Sequence, residues 1–395
     1  MSVRIKKHGQ QVFHQKRIIM KKGTYQLHDE ANFNFQLNRT LMWGGGDLEE
    51  IRSVAPAINT TEDWVREMKT LAERAEASQQ KSKAAGYYRM AEFFEADGSW
   101  DKSEFYTKSK SLFYEVYQDV FKTKIRRDEV EYDQGKLPVW IGLPETEVKD
   151  TVIIHGGNDS YMEEFLPLVQ RFLSEGIAVY LFDGPGQGGA LRESGIHFTH
   201  EWEKPVKAIL DAYQLDDVTI IGLSLGGMLA PRAAAFEDRI KRVVAWGIMP
   251  DFYEVVLSKV PEQLKLLMDL GEKDQVNTLI HAKMKVDPLI KWAIQHGMFS
   301  MNVDTPYDYL TQTRKFEMQS IGHQITQDFL LLGSNEDHFI PVKLYKDVID
   351  ALPNVKSLSY KMYTKSDSAE NHCNIGNTKL VLDDIIHWIQ RVKNK

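Results

Sequence analysis

The sequence predicts an α/β fold with a mostly parallel sheet, and three observations carry that expectation. Residues 61–122 follow a helical period, and from residue 126 the period changes to that of strands. Beyond residue 150, short apolar β-branched runs alternate with helix-length amphipathic stretches, which is the pattern of a parallel sheet covered on both faces. Finally, Val218-Thr219-Ile220-Ile221 runs into Gly222-Leu223-Ser224-Leu225-Gly226 and on to Met228-Leu229-Ala230, a strand, a sharp turn and a helix.

Composition sets the outer bounds. The 395 residues are 43% hydrophobic and 27% charged, ordinary values for a globular chain, and they suffice for one large core plus a second unit. A net charge of -7 recommends neither a nucleic-acid nor an anionic-membrane partner. The Lys/Arg cluster between residues 5 and 22 reads as solvated surface. No apolar stretch approaches membrane-spanning length, and no apolar run follows the basic residues of Met1–Lys7, so neither a membrane segment nor a secretory signal is expected. With Cys373 as the single cysteine, no intramolecular disulfide forms, and a cytoplasmic location fits.

Residues 1–40 carry weak signals. Gln11-Val12-Phe13-His14 reads as a strand or a loose arm, and Phe33-Asn34-Phe35-Gln36-Leu37 alternates slightly. Trp43-Gly44-Gly45-Gly46-Asp47 is a breaker followed by an acidic helix start. Thr61-Glu62-Asp63 opens a helix in which Trp64, Met68, Leu71 and Ala75 share a face. A second helix holds Tyr87, Met90, Ala91 and Phe94. A third, from Asp101, spaces Tyr106, Ser109, Phe113, Tyr117 and Phe121 by three and four. The three form an antiparallel helical unit. The aromatic face of the third either lines a pocket or packs against the main domain, and packing is the favoured reading.

Arg127–Tyr132 and Leu137–Gly142 flank Gln134-Gly135 as a hairpin, with Pro144 after it. Thr151–Ile154, Gly176–Phe182, Arg242–Gly247, Phe329–Gly333 and Ser357–Met362 are the remaining strands around the one ending at Ser224. Helices are expected near 161–175 and 199–214, from Pro341 to Leu352, and at the end of the chain around Val381, Ile385, Ile386, Trp388 and Ile389. Residues 250–322 contain helical patterns and no clear strand. Such an insertion forms a lid over the strand ends or extra scaffold; the lid is favoured because functional loops of open sheets lie at that end. The expected division is therefore an N-terminal arm and helical domain at 1–125, a first core part at 126–250, a helical lid insertion at 251–322, and a second core part at 323–395.

The chemistry concentrates after the strands. Gly222 and Gly226 flank Ser224 where side chains would collide, and the turn lifts the hydroxyl clear of the sheet. A serine hydroxyl needs a base to take its proton and an acid to orient that base. Asp337 lies in the loop after one late strand and His372 in the loop after the next. Competing groups exist. His338 adjoins Asp337 and is too local to it to reach Ser224; Glu336 is an alternative acid; Asp183 organises its own turn; His155 and His200 are rival histidines. Gly184-Pro185-Gly186-Gln187-Gly188 lacks the Lys-Ser/Thr ending of a phosphate loop, and neither a His-Glu-x-x-His nor a paired-cysteine motif suggests a metal, so no cofactor is expected. Cys373 reads as a small buried side chain supporting its loop.

Four motifs carry a resemblance: His155-Gly156-Gly157, Asp183-Gly184-Pro185-Gly186-Gln187-Gly188, Gly222-Leu223-Ser224-Leu225-Gly226, and Asp337 with His372. The chain resembles an α/β-hydrolase-fold serine hydrolase over roughly residues 126–395. It is similar in particular to the branch with an N-terminal helical region that includes dihydroxypseudooxynicotine hydrolase and FrsA-like proteins, and to acylaminoacyl-peptidase-like sequences. The resemblance implies Ser224 as nucleophile, His372 as base and Asp337 as orienting acid. It implies an oxyanion hole from the Leu225 N–H and the N–H of Gly157 or Asn158, with His155 supporting that loop. The expected activity is hydrolysis of a small carboxylic ester or related acyl substrate through an acyl-enzyme. A short acyl-peptide substrate for an acylaminoacyl-type peptidase, a C–C bond hydrolase, and a non-catalytic interaction protein with this fold are the alternatives. A homodimer is the branch-based expectation.

Overall fold

A computed structural model of the chain describes residues 20–258, 260 and 262–394. The expected Gln11–His14 strand, the Met1–Lys7 segment and most of the basic cluster at 5–22 lie outside the described residues.

Among the described residues the sheet has eight strands: β1 (Ile125–Tyr132), β2 (Gly135–Gly142), β3 (Asp150–His155), β4 (Ile177–Phe182), β5 (Val218–Leu223), β6 (Ile240–Trp246), β7 (Asp328–Ser334) and β8 (Ser357–Tyr363). Their spatial order is β1-β2-β4-β3-β5-β6-β7-β8. The β1–β2 hairpin and its junction with β4 are antiparallel; every pairing from β4 to β8 is parallel. Successive residues of a strand face opposite sides. Ile153, Ile220 and Val243 therefore join one core, while Val152, Ile154, Ile221 and Val244 join the other. That is why β3 and β5 read as unbroken apolar runs.

Among the described residues six α-helices precede the sheet: α1 (Ala31–Met42), α2 (Leu48–Val54), α3 (Thr61–Ala77), α4 (Lys81–Phe94), α5 (Trp100–Val116) and α6 (Gln118–Thr123). The slight alternation at Phe33–Leu37 is a stretch of helix α1, where Phe33 stacks on Trp64 with ring centroids 5.9 Å apart. The cap of α3 falls one residue earlier than the sequence suggests. Thr60 accepts the Asp63 N–H, and Asp63 accepts that of Thr60. The expected third helix breaks at Tyr117 into α5 and α6, and its aromatic face packs rather than lining the main cavity: Phe113 of α5 stacks on Trp140 of β2 at 5.9 Å, and Phe121 of α6 meets the same ring at 4.8 Å.

Within the core, α7 (Leu166–Ser174), α8 (Gly188–Arg192), α9 (Glu203–Ala212) and α10 (Gly226–Phe236) connect the strands from β3 to β6. Among the described residues five α-helices stand between β6 and β7: α11 (Phe252–Leu257), α12 (Glu262–Asp269), α13 (Lys273–Met284), α14 (Pro288–Ser300) and α15 (Pro306–Thr313). The last helices are α16 (Leu344–Asp350) and α17 (Thr378–Lys393). Pro341 precedes α16 instead of opening it, because its carbonyl accepts the Leu344 N–H in a turn of its own (3.0 Å). Among the described residues no helix is long and apolar enough to cross a membrane.

Candidate active site

Ser224 is the first residue beyond β5, and its φ of 62° puts a non-glycine residue in the left-handed region. That conformation costs on the order of 1–3 kcal/mol and persists only where its surroundings enforce it. Here they do. The Ser224 N–H donates to the Trp246 carbonyl at the end of β6 (2.8 Å), and its carbonyl accepts the Gly227 N–H that starts α10 (2.8 Å). A Cβ on Gly222 would sit 1.9 Å from the Gly226 carbonyl oxygen, so only glycine lets strand and helix meet this closely.

Two later loops reach the same point. After β7, Asp337 Oδ1 accepts the N–H groups of Phe339 (2.9 Å) and Ile340 (3.1 Å), which aims Oδ2 at His372. His372 Nδ1 lies 2.7 Å from Asp337 Oδ2, and Nε2 lies 2.8 Å from Ser224 Oγ. The Asp337 side chain is fully covered and the His372 side chain nearly so. Burial opposes charge on the imidazole, but the Asp337 carboxylate outweighs it and raises the His372 pKa well above its ordinary value. Burial likewise works against the Asp337 carboxylate, and His372 overcomes it, holding the acid below the usual carboxylate range.

The His372 loop is pinned by Asn374, which sequence reasoning passed over. Asn374 Oδ1 accepts the Trp246 indole N–H (2.8 Å), and its amide donates to Ser334 Oγ (2.9 Å) and the Ala369 carbonyl (2.8 Å). Cys373 and Asn374 both have positive φ, at 49° and 56°. Cys373 is buried beside the Trp246 carbonyl.

The rival residues have other partners. The His338 ring packs on Phe35 and Phe339, at 5.0 and 3.8 Å between centroids. Glu336 is exposed. Asp183 is buried and accepts the N–H groups of Met162 (3.1 Å) and Gly189 (2.9 Å), so it holds its own turn; burial, then the nearby Glu163, push its carboxyl up to about 7. His200 lies against Phe316. His155 is buried against Phe182 and Trp202, its Nδ1 2.9 Å from the Gly156 carbonyl, and burial pushes its pKa down to about 4.

The glycine-rich loop after β4 serves the loop after β3. Gln187 donates from Nε2 to the carbonyls of Gly156 and Gly157, both at 2.9 Å, and its Oε1 accepts the Gly184 N–H. The Gly156–Gly157 turn presses on the serine turn: a Cβ on Gly157 would lie 2.7 Å from the Leu223 oxygen and 2.8 Å from the Leu225 nitrogen. Of the two expected donors in this loop, the Gly157 N–H is given to Ser160 Oγ at 3.3 Å. The N–H groups of Asn158 and Leu225 take no part in the backbone hydrogen bonds of the described residues. Among those residues no three His, Cys, Asp or Glu side chains are grouped as metal ligands.

A cavity of about 400 Å³ opens above Ser224 and His372. Its walls come from α1, through Phe35, Gln36 and Arg39, and from the helices between β6 and β7, largely through aliphatic side chains such as Val255, Leu264 and Ile290.

Comparison with known proteins agrees with this architecture. Residues 152–289 match the family described as the alpha/beta hydrolase fold. The chain is 28% identical over 326 residues to the 20-hydroxy-prefusarin hydrolase FUS2 of Gibberella moniliformis, covering 73% of this chain and 78% of that protein. It is 27% identical over 190 residues to the 2,6-dihydropseudooxynicotine hydrolase of Paenarthrobacter nicotinovorans, covering 45% of this chain and 51% of the relative. The crystal structure of a 2,6-dihydroxy-pseudo-oxynicotine hydrolase shares the fold with a TM-score of 0.60 at 21% identity, over 86% of this chain and 90% of that one. With strands, helices and relatives in agreement, the chain has the α/β-hydrolase fold and is similar to hydrolases that include 2,6-dihydropseudooxynicotine hydrolase.

Proposed function

We propose that this hydrolase-family protein is a serine hydrolase that cleaves a small carboxylic ester or related acyl substrate through an acyl-enzyme. The single observation that carries the reading is the unbroken hydrogen-bond chain from Ser224 Oγ through both His372 nitrogens to Asp337. In this reading His372 takes the hydroxyl proton as Ser224 Oγ attacks the substrate carbonyl. Asp337 keeps the ring oriented and stabilises the imidazolium that forms. The developing oxyanion is met by the N–H groups of Leu225 and Asn158. Collapse of the tetrahedral intermediate expels the leaving group, which receives the proton from His372. Water, deprotonated by the same ring, then releases the acyl group and regenerates Ser224.

The cavity supports a small substrate with an apolar portion. Its volume of about 400 Å³ lies in the range of small-molecule sites, and its aliphatic upper wall suits hydrocarbon. The relatives named for 20-hydroxy-prefusarin and dihydropseudooxynicotine point the same way, which favours a small organic molecule over a peptide chain. A fluorophosphonate probe tests the nucleophile: it labels the wild type and fails to label Ser224→Ala. A folded wild-type protein that neither takes the label nor turns over esters rules the reading out. Parallel assays on p-nitrophenyl esters, acyl-aminoacyl amides and β-diketones then separate esterase, peptidase and C–C hydrolase.

A further inference from the structure

Behind the loop that carries Asn158 lies a cluster of buried charged groups that the mechanism above does not use. His296, on α14, is at its centre. Its Nδ1 is 2.9 Å from Asp97 Oδ2, just after α4, and its Nε2 is 3.3 Å from the Asn158 carbonyl oxygen. The ring lies parallel to Trp292, with centroids 5.4 Å apart and planes within 2°, and the Trp292 indole N–H donates to the Phe93 carbonyl (2.8 Å). Asp97 also faces Arg192 at 2.6 Å and Lys102 at 3.6 Å. Glu92 and Arg89 complete the cluster from α4, with Arg89 donating to the Asp159 carbonyl. Burial works against the Asp97 carboxylate, but His296, Lys102 and Arg192 together hold it well below the usual carboxylate range.

Both His296 nitrogens thus face acceptors that have no proton to give. An N–H on Nε2 is the group that reaches the Asn158 carbonyl. The consequence for the site follows from peptide geometry. Asn158 stands between two planar peptide units. The carbonyl of the preceding unit, that of Gly157, is held by Gln187 from the core. The carbonyl of the following unit, its own, is held by His296 from the helices between β6 and β7. With both planes fixed, the Asn158 N–H has one direction.

We propose that His296 is a positioning residue for the oxyanion donor at Asn158, acting from the lid helix α14 and anchored on Asp97 of the N-terminal helical region. The proposal rests on the reading of Ser224 as nucleophile and Asn158 as donor. The Gln187 contact belongs to the core alone, but the His296 contact exists only when α14 is seated. Seating of the lid and completion of the oxyanion hole are therefore one event.

The test uses the full chain and a fluorophosphonate, whose attack by Ser224 develops charge on the same oxygen. His296→Phe keeps a ring against Trp292 and removes the donor; His296→Gln restores an N–H. The maximal labelling rate of His296→Phe is expected to fall about tenfold to a hundredfold with the half-saturating probe concentration unchanged, and His296→Gln is expected to recover much of it. Labelling of His296→Phe at the wild-type rate overturns the proposal, as does His296→Gln being as slow as His296→Phe. If His296→Phe does not fold, Asp97→Asn decides: a slower maximal rate supports the proposal and a wild-type rate overturns it. A wild type that takes no label overturns the Ser224 reading and this proposal together, whereas a labelled wild type with unchanged variants overturns this proposal alone.

Discussion

At the scale of single residues, the proposed mechanism makes the His372–Asp337 contact govern both rate and pH response. The base must be neutral to accept the Ser224 proton, yet Asp337 raises its pKa against the effect of burial. Activity therefore rises with pH, with an acid limb in kcat/KM above the ordinary histidine value of about 6.5. Asp337→Asn is expected to move that limb to lower pH and reduce the rate on the order of 10⁴-fold. Stability runs the other way. A histidine whose folded pKa exceeds its unfolded value stabilises the fold fully below about pH 6.5, and that contribution is lost as pH rises through the folded value. The depressed Asp337 contributes above about pH 3.9 and loses its contribution as pH falls through its folded value. His372→Ala should leave a folded protein with turnover reduced on the order of 10³-fold or more. His338→Ala should keep most of its turnover, since the ring lies against Phe35 and Phe339 while the bond to Ser224 belongs to His372. Near-normal turnover of His372→Ala beside an inactive His338→Ala reverses the assignment of the base.

Among the elements, the turn after β5 and the loop after β3 act as one unit, because they touch through backbone. Gly157 is the contact. A methyl group there meets the Leu223 oxygen and the Leu225 nitrogen at 2.7 and 2.8 Å, so Gly157→Ala must push the two loops apart. The strand cores beneath remain untouched. A folded variant with kcat lowered on the order of 10²-fold is expected, because displacing an oxyanion donor by a fraction of an ångström forfeits transition-state stabilisation. Circular dichroism with steady-state kinetics checks it, and unchanged kcat contradicts the contact. The glycine-rich loop after β4 shows how an element's role is hidden in its own sequence. Its lack of a Lys-Ser/Thr ending excludes a phosphate loop, but its use as a brace appears only when Gln187 is seen to grip the carbonyls of Gly156 and Gly157.

Over the whole molecule, the N-terminal helices are structural partners of the core. Arg39 of α1 donates to both oxygens of Glu164, at 2.8 and 2.9 Å, and to Asp159 at 3.0 Å, and all but Asp159 are buried. Removing one partner of such a pair leaves charge buried without its full compensation. Arg39→Met is expected to lower the unfolding free energy by about 3 kcal/mol, read from urea titration at constant slope. An unchanged midpoint indicates that Arg89, which also pairs with Glu164, suffices alone. Because α1 also walls the cavity through Phe35, Gln36 and Arg39, losses here extend to substrate binding.

By itself the sequence determined the alternation of strand and helix, the shift from helical to strand period near residue 126, and the sharp turn at Ser224. All three depend on residues close along the chain, where periodicity and glycine placement act directly. Asp337 and His372 were legible because each follows a recognisable strand in an order known for this fold. Only the tertiary structure decided that Phe33–Leu37 belongs to a helix lining the cavity, that Gly157 spends its N–H on Ser160, that Gln187 and His296 meet the loop after β3, and that Asn374 ties down the loop after β8. Those contacts join residues as far apart as 138 positions. No local pattern encodes the contacts of Gln187, Asn374 and His296, because they arise only when separate layers pack and each buried polar group must find a partner across the boundary.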